Sequence, residues 1–197
     1  MKAYQTDLLF VYSFLIITGI TAGEFLNLPT SYFTQKSNFL NQIFVKRGWA
    51  WTFILLILLN SKRSYKKLFS ATVYWFLITQ WAFGPSVLDR IYQFSGSCSL
   101  LHLKTLTECF ASGGEWDGLD ISGHVFLLLH SSLLIWEELL QSEFKNGLNL
   151  ISGMLCLLLL ILWMVMLIVT VLYYHSITEK ILGTILGFGF WSIYSLK

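Results

Sequence analysis

Long apolar runs alternate with short polar segments along the chain, and this pattern predicts a series of membrane-spanning helices. The predicted spans cover residues 8–26, 44–60, 68–84, 122–136, 150–174 and 181–194. An apolar stretch of about 20 residues is long enough to cross the hydrocarbon core of a bilayer. We therefore predict an all-α, polytopic membrane protein of about six transmembrane helices, folded as a single transmembrane domain over residues 1–197.

Local signals set the limits of these spans. Pro29 follows the first span and Pro85 the third. Proline does not continue a helix, so both spans are predicted to end before these residues. The fourth span is expected to be short and to end at Glu137-Glu138. Gly183 and Gly187, four residues apart in the last span, predict a small-residue face for close helix packing.

The composition supports a bilayer environment. Charged residues make up only 12% of the chain and the mean hydropathy is +0.65, whereas soluble domains carry about 25% charged residues. The net charge of +2 is too small to indicate binding to nucleic acid, and no basic stripe is present.

The positive cluster at residues 62–67 sets the expected orientation. Positively charged loops remain in the cytosol, so this cluster and both termini are predicted to be cytosolic. Residues 85–120 and 175–180 are then lumenal. The charge bias depends on this one loop, but the relative placement of His124 and His175 does not. They are expected on the same side of the membrane because one pair of helices separates them.

A polar, glycine-rich segment at 113–124 ends in Ser122-Gly123-His124 and enters an apolar helix. One interpretation is a simple helix start, with Asp120 or Ser122 as the N-cap residue. The other is a functional site, because glycine lets an anion approach the backbone N–H groups at a helix N-terminus. Ionisable groups within a membrane segment also indicate function.

His175 follows the strongest apolar run and permits two interpretations as well. It is either an aromatic-belt residue after Tyr173-Tyr174 or a reactive imidazole. Glu179 lies four residues further on, where a carboxylate on the same helical face would orient the imidazole. Ser176 and Glu179 also match a capping box for the last helix, and the two interpretations are compatible.

The remaining polar groups have weaker signals. The cations expected near the lumenal face would bind either phosphate or lipid headgroups; they are Lys46, Arg47, Arg90 and Lys104. His130 is expected to make an interhelical polar contact. Cys98 and Cys109 are either disulfide-bonded or free thiols. No motif indicates a metal site, and we expect neither a metal nor another cofactor.

Four segments together resemble the fat storage-inducing transmembrane proteins of the endoplasmic reticulum. They are spread in order over most of the chain: 41–52, 81–90, 109–126 with its Asp-Ile-Ser-Gly-His, and Tyr173-Tyr174-His175 with Glu179, Lys180 and Gly183. The combination is specific, although Ser-Gly-His alone is not.

The resemblance implies a function and a location. The family resembles lipid phosphate phosphatases, with six spans, cytosolic termini and a lumenal site in the endoplasmic reticulum membrane. It implies a fatty acyl-CoA diphosphatase that forms acyl-4′-phosphopantetheine and adenosine 3′,5′-bisphosphate and supports lipid droplet formation and lipid homeostasis. Its catalytic histidines match His124 and His175. The expected partners are fatty acyl-CoA and membrane lipids; the sequence is silent on protein partners.

The chain departs from the wider phosphatase pattern at one place. Those enzymes carry Ser-Arg seven and six residues before the nucleophilic histidine, whereas this chain has Ile168 and Val169. The phosphate-binding arginine of that motif is therefore missing.

The expected chemistry is a metal-independent hydrolysis. His175, oriented by Glu179, would attack phosphorus and His124 would protonate the leaving oxygen. Ser122, Gly123 and a set of cations would bind phosphoryl oxygens; the cations proposed are Lys46, Arg47 and Arg90. The alternative is a non-catalytic protein that binds diacylglycerol or triacylglycerol and partitions it into lipid droplets.

Overall fold

The computed structural model describes residues 3–26, 28–35, 37–58, 65–80, 84–100, 102–143 and 150–195. Its helices, in chain order, are α1 (Ala3–Phe25), α2 (Gly48–Leu58), α3 (Tyr65–Thr79), α4 (Val87–Ser95), α5 (Leu106–Ala111), α6 (Gly123–Glu143), α7 (Leu150–Tyr173) and α8 (Ile177–Ser195). A 3₁₀ turn (Tyr32–Thr34) and a π-helical turn (Leu40–Val45) precede α2. Strands β1 (Ser97–Cys98) and β2 (Trp116–Asp117) form one short antiparallel pair.

Three helical segments among the described residues are long and apolar enough to cross a membrane. They are Tyr4–Phe25, Gly123–Leu140 and Leu150–Tyr173, and α2 is a shorter apolar helix. The chain is thus an all-α, multi-pass membrane protein, as the pattern predicted. The count of six spans and their individual limits remain predictions, and residues 59–60 and 81–83 of the second and third predicted spans lie outside the described residues.

Helix α6 continues through Glu137-Glu138 to Glu143, so these residues do not end the helix, and the limit of the fourth span stays a prediction. Lys67 Nζ lies 2.7 Å from Glu137 Oε2 and 3.4 Å from Glu138 Oε1, and all three side chains are buried. A buried carboxylate is tolerated when it is paired, so the helix continues without exposing these charges to lipid. Lys67 therefore belongs to the helix packing rather than to a free cytosolic patch, while Lys62 and Arg63 lie outside the described residues.

Helix α6 lies at the centre of the bundle, where α2, α7 and α8 pack against it. Its apolar side chains are buried on every face of the helix. Those that are 0% exposed include Val125, Leu128, Leu129, Leu133 and Ile135. A helix that is buried on all faces is a core helix. The ends of α6 are consequently fixed by its neighbours rather than by lipid.

Glycines allow the closest helix contacts. A Cβ at Gly183 would lie 2.6 Å from the Ser122 carbonyl oxygen, and one at Gly187 would lie 2.7 Å from Leu129 Cβ. The predicted small-residue face of α8 is thus confirmed, and it packs on α6. The same spacing occurs at Gly19 and Gly23 of α1, which pack on α7; this second pair was not among the predicted packing faces.

A compact cap, formed by α4, α5 and the two strands, precedes α6. The disulfide Cys98–Cys109, with its Cα atoms 5.7 Å apart, links β1 to α5 and decides between the two alternatives left open by the sequence. Trp116 Nε1 donates to the Tyr92 carbonyl oxygen at 3.1 Å, and the Tyr92 hydroxyl donates to the Trp116 carbonyl oxygen at 3.0 Å. These contacts anchor the segment that leads into α6.

We predict that Gly187→Leu destabilises the protein, because its side chain would enter space held by Leu129. Overpacking of this kind costs roughly 1–3 kcal/mol. Thermal unfolding of the purified protein in detergent measures the effect. Ile185→Leu is the control, since Ile185 is 60% exposed on the same helix. Equal melting temperatures for the two variants would contradict the packing described here.

Candidate active site at the adjoining ends of α6, α7 and α8

His124 lies in the first turn of α6, immediately after Gly123. The helix start is capped by Ser122, whose buried Oγ accepts a hydrogen bond from the Val125 N–H at 3.3 Å. The N-cap interpretation of Ser122 is therefore confirmed. His124 Nε2 lies 2.9 Å from Asn41 Oδ1. This contact joins the start of α6 to the segment before α2.

Asn41 is a neighbour of the site that was not among the predicted residues. It lies in the π-helical turn, where its N–H donates to Asn38 Oδ1 at 2.7 Å. The Asn38 amide in turn donates to the carbonyl oxygens of Phe33 and Gln35 at 3.0 and 2.6 Å. The signal available in the sequence was two asparagines, three residues apart, beside an apolar run. Both are buried in the structure, and buried amides require partners.

His175 lies in the tight turn between α7 and α8 and has a φ of 62°. This left-handed conformation is common just after a helix C-terminus, and histidine and asparagine adopt it more readily than most residues. The preceding tyrosines tie the turn to the 28–35 segment. The Tyr173 hydroxyl donates to the Pro29 carbonyl oxygen at 3.1 Å, and the Tyr174 hydroxyl donates to that of Thr34.

Two carboxylates face His175. Its Nδ1 lies 3.5 Å from Glu179 Oε2 and 3.9 Å from Asp120 Oδ2. Glu179 also forms the predicted capping box, because its Oε2 accepts from the Ser176 N–H at 2.9 Å while the Glu179 N–H donates to Ser176 Oγ at 3.4 Å. Both predicted contacts of Glu179 are present together.

Glu179 additionally holds the segment before α6. Its Oε1 accepts from the Asp120 N–H at 2.8 Å, and its carbonyl oxygen accepts from the Ser122 N–H at 3.2 Å. Burial by itself would raise the pKa of this carboxyl, but hydrogen bonds from Ser176 and Asp120 and the nearby His175 outweigh it and lower the pKa below its ordinary value. Glu179 is therefore charged at neutral pH.

His124 and His175 line the same cavity of about 360 Å³. A second, larger cavity of about 950 Å³ is also lined by His124, together with residues of α2 and α3. Lys46 lines both cavities and Arg47 lines the larger one. The structure therefore brings both predicted histidines and two of the predicted cations to one region.

Other predicted residues lie elsewhere. Arg90 lines neither cavity; its Nε donates to the Pro85 carbonyl oxygen at 2.9 Å. Lys104 is exposed in the cap and also lines neither. His130 is buried, with Nε2 3.2 Å from the Ala71 carbonyl oxygen, which confirms an interhelical polar contact. Among the described residues, no three acidic, His or Cys side chains are grouped so that they could hold a metal ion.

The chain is a multi-pass membrane protein in which two histidines line one cavity at the end of a buried helix. Residues 29–148 match the model of the fat storage-inducing transmembrane protein family. This match covers more than half of the chain, and the chain belongs to that family.

Relatives match over almost the whole chain. The acyl-coenzyme A diphosphatase fit1 of Schizosaccharomyces pombe is 39% identical over 98% of this chain and 86% of its own. The human acyl-coenzyme A diphosphatase FITM2 is 31% identical over 89% of this chain and 80% of its own. The Drosophila melanogaster protein of the same name is 29% identical, over 95% and 57% respectively. No solved structure matches the chain significantly.

We predict a pH-dependent contribution of Glu179 to stability. Because its pKa is lowered in the folded protein, its stabilisation is fully present above the ordinary value of 4.5 and is lost as the pH falls through the folded pKa. The wild type should melt at a higher temperature than Glu179→Gln at neutral pH. This difference should shrink as the pH is lowered to about 3.

Glu115→Gln is the matched control, since Glu115 is exposed in the cap. It should follow the wild-type curve throughout. A constant difference between wild type and Glu179→Gln at every pH would show that the charge of Glu179 does not stabilise the fold.

Proposed function

We propose that this protein is a fatty acyl-CoA diphosphatase of the endoplasmic reticulum membrane. It hydrolyses acyl-CoA to acyl-4′-phosphopantetheine and adenosine 3′,5′-bisphosphate, and thereby supports lipid droplet formation and lipid homeostasis. The observation that carries the proposal is the cavity that His124 and His175 line together. The diphosphatase names of the relatives support the same reaction class.

His175 is the proposed nucleophile. With its Nδ1 facing Glu179 and Asp120, the proton resides on Nδ1 and the lone pair on Nε2 is available for attack. Attack on phosphorus gives a phosphohistidine and divides one difficult hydrolysis into two steps. The left-handed backbone at His175 keeps the ring at the end of α7.

His124 is the proposed general acid. The Asn41 amide oxygen can only accept, so the His124 Nε2 carries a hydrogen towards it. The Nδ1 of the protonated ring then supplies the proton for the leaving oxygen, and the neutral ring later accepts one from water.

Phosphate binding is assigned to the helix start and the adjacent cations. Gly123 lines both cavities at the N-terminus of α6, where backbone N–H groups favour an anion. Lys46 and Arg47 add positive charge in place of the missing arginine of the phosphatase motif. Ser122 contributes by capping α6, since its hydroxyl accepts from the helix backbone.

Substitution of the histidines tests the reaction. We expect His175→Asn to abolish release of adenosine bisphosphate from palmitoyl-CoA in detergent, because the amide is not a nucleophile. Asparagine is preferable to alanine here because it tolerates the φ of 62°. His124→Asn should be nearly as severe, and the double variant little worse than either, since groups that act as one unit are not additive.

Glu179→Gln separates orientation from capping. An orienting carboxylate predicts lower turnover per folded molecule, whereas capping alone predicts a stability loss on the order of 1 kcal/mol with normal turnover. Melting temperature and turnover are measured on the same sample.

Wild-type turnover in His175→Asn would overturn this mechanism. A wild-type protein that binds diacylglycerol but hydrolyses no acyl-CoA would favour the lipid-partitioning alternative.

The site is proposed to face the lumen, with both termini in the cytosol. A glycosylation acceptor introduced beside the exposed Ser97 in the cap should be modified in endoplasmic reticulum membranes. One placed at Lys66 should remain unmodified. The reverse pattern would invert the orientation while leaving the site itself unchanged.

A further inference from the structure

His124 lies where the two cavities meet. Lys46, Asp120, Gly123 and His124 line both of them. His175 lines the smaller cavity and, within the described part of the chain, is not among the residues lining the larger one. The nucleophile and the acid of the proposed reaction are thus placed asymmetrically, with the acid towards the larger cavity.

The larger cavity has predominantly apolar walls. Trp49 and Trp75 stack with ring centroids 5.6 Å apart, and Ala50, Phe53 and Leu127 complete the wall. Phe53 lies five residues into α2, which begins at Gly48, and at 1.5 Å per residue this is about 8 Å along the helix. A cavity of about 950 Å³ has room for the part of the acyl-pantetheine arm that lies next to the phosphates.

The smaller cavity is also mostly apolar, and it differs from the larger one in its size and in the aromatic rings and amides that line it. Gln42, Phe33 and Tyr174 line it together with Asn38 and Asn41, whose amides bond to Phe33, Gln35 and His124. Aromatic rings such as those of Phe33 and Tyr174 stack on bases. At about 360 Å³ this cavity suits the adenosine end rather than a long acyl chain.

We infer that His175 attacks the diphosphate phosphorus on the 5′ side of adenosine, so that acyl-4′-phosphopantetheine is the leaving group. This inference rests on the proposed function. In phosphoryl transfer the attacking and leaving atoms lie roughly in line on opposite sides of phosphorus. With His175 in the smaller cavity, the leaving oxygen departs past His124 towards the larger cavity, which holds the acyl-pantetheine arm.

The bonds are accounted for as follows. The lone pair of His175 Nε2 forms the N–P bond, and the bond from this phosphorus to the bridging oxygen breaks. The bridging oxygen leaves on acyl-4′-phosphopantetheine with the proton of His124. Water then loses a proton to neutral His124 and attacks phosphorus, and the N–P electron pair returns to His175. The new oxygen therefore ends on adenosine bisphosphate.

Hydrolysis in H₂¹⁸O tests the assignment directly. The wild-type protein is incubated with palmitoyl-CoA in labelled water, and both products are analysed by mass spectrometry. We expect one ¹⁸O in adenosine 3′,5′-bisphosphate and none in acyl-4′-phosphopantetheine. Label in acyl-4′-phosphopantetheine would overturn the inference while leaving the diphosphatase activity intact. Absence of both products would overturn the proposed function and this inference with it.

Filling the larger cavity tests which half of the substrate it holds. Ala50→Phe should raise KM for palmitoyl-CoA several-fold more than KM for acetyl-CoA, because the added ring occupies the acyl path. Ile54→Phe is the control, since Ile54 lies on the same helix and is 51% exposed. Melting temperatures are measured for both variants, and KM values are compared only if these temperatures are equal. Unchanged chain-length preference in Ala50→Phe, or an equal change in Ile54→Phe, would contradict the assignment.

Discussion

Glu179 makes the contacts on which the rest of the site depends. Its carboxylate accepts from Ser176 and Asp120, and its carbonyl oxygen accepts from the Ser122 N–H. One residue of α8 therefore fixes both the turn that carries His175 and the segment that leads into α6. Hydrogen bonds to a charged acceptor are about twice as strong as neutral ones. This residue therefore holds the segment that carries His124 next to the turn that carries His175.

The opposite end of α6 is held by a different kind of contact. Lys67 pairs with Glu137 and Glu138 in a buried position, and α6 extends through these carboxylates. Between its ends the helix has no exposed face, and His130, Ser131 and Ser132 are buried there among apolar side chains. The polar groups at its start are thus presented from a rigid core helix, which suits a site that requires fixed geometry.

The two cavities give the site a direction. The cavities differ in volume, about 360 and 950 Å³, and His124 lines both, whereas His175 lines the smaller one. A substrate with one nucleotide end and one lipid end would be held across this boundary in a single orientation. The same asymmetry relates the proposed acid to the leaving group, so binding and bond cleavage depend on one arrangement of helices.

The sequence by itself determined the class of the protein and most of its candidate residues. The charge-free run at 150–174 and the Gly183/Gly187 spacing are local patterns, and bilayer thickness and helix geometry translate them directly into structure. The capping box of Ser176 and Glu179 is equally local. Only the tertiary structure decided which distant groups meet. It placed Asn41 against His124, Asp120 against His175, and Lys67 against the glutamates of α6. Such contacts join residues far apart in the chain, and helix packing alone brings them within bonding distance.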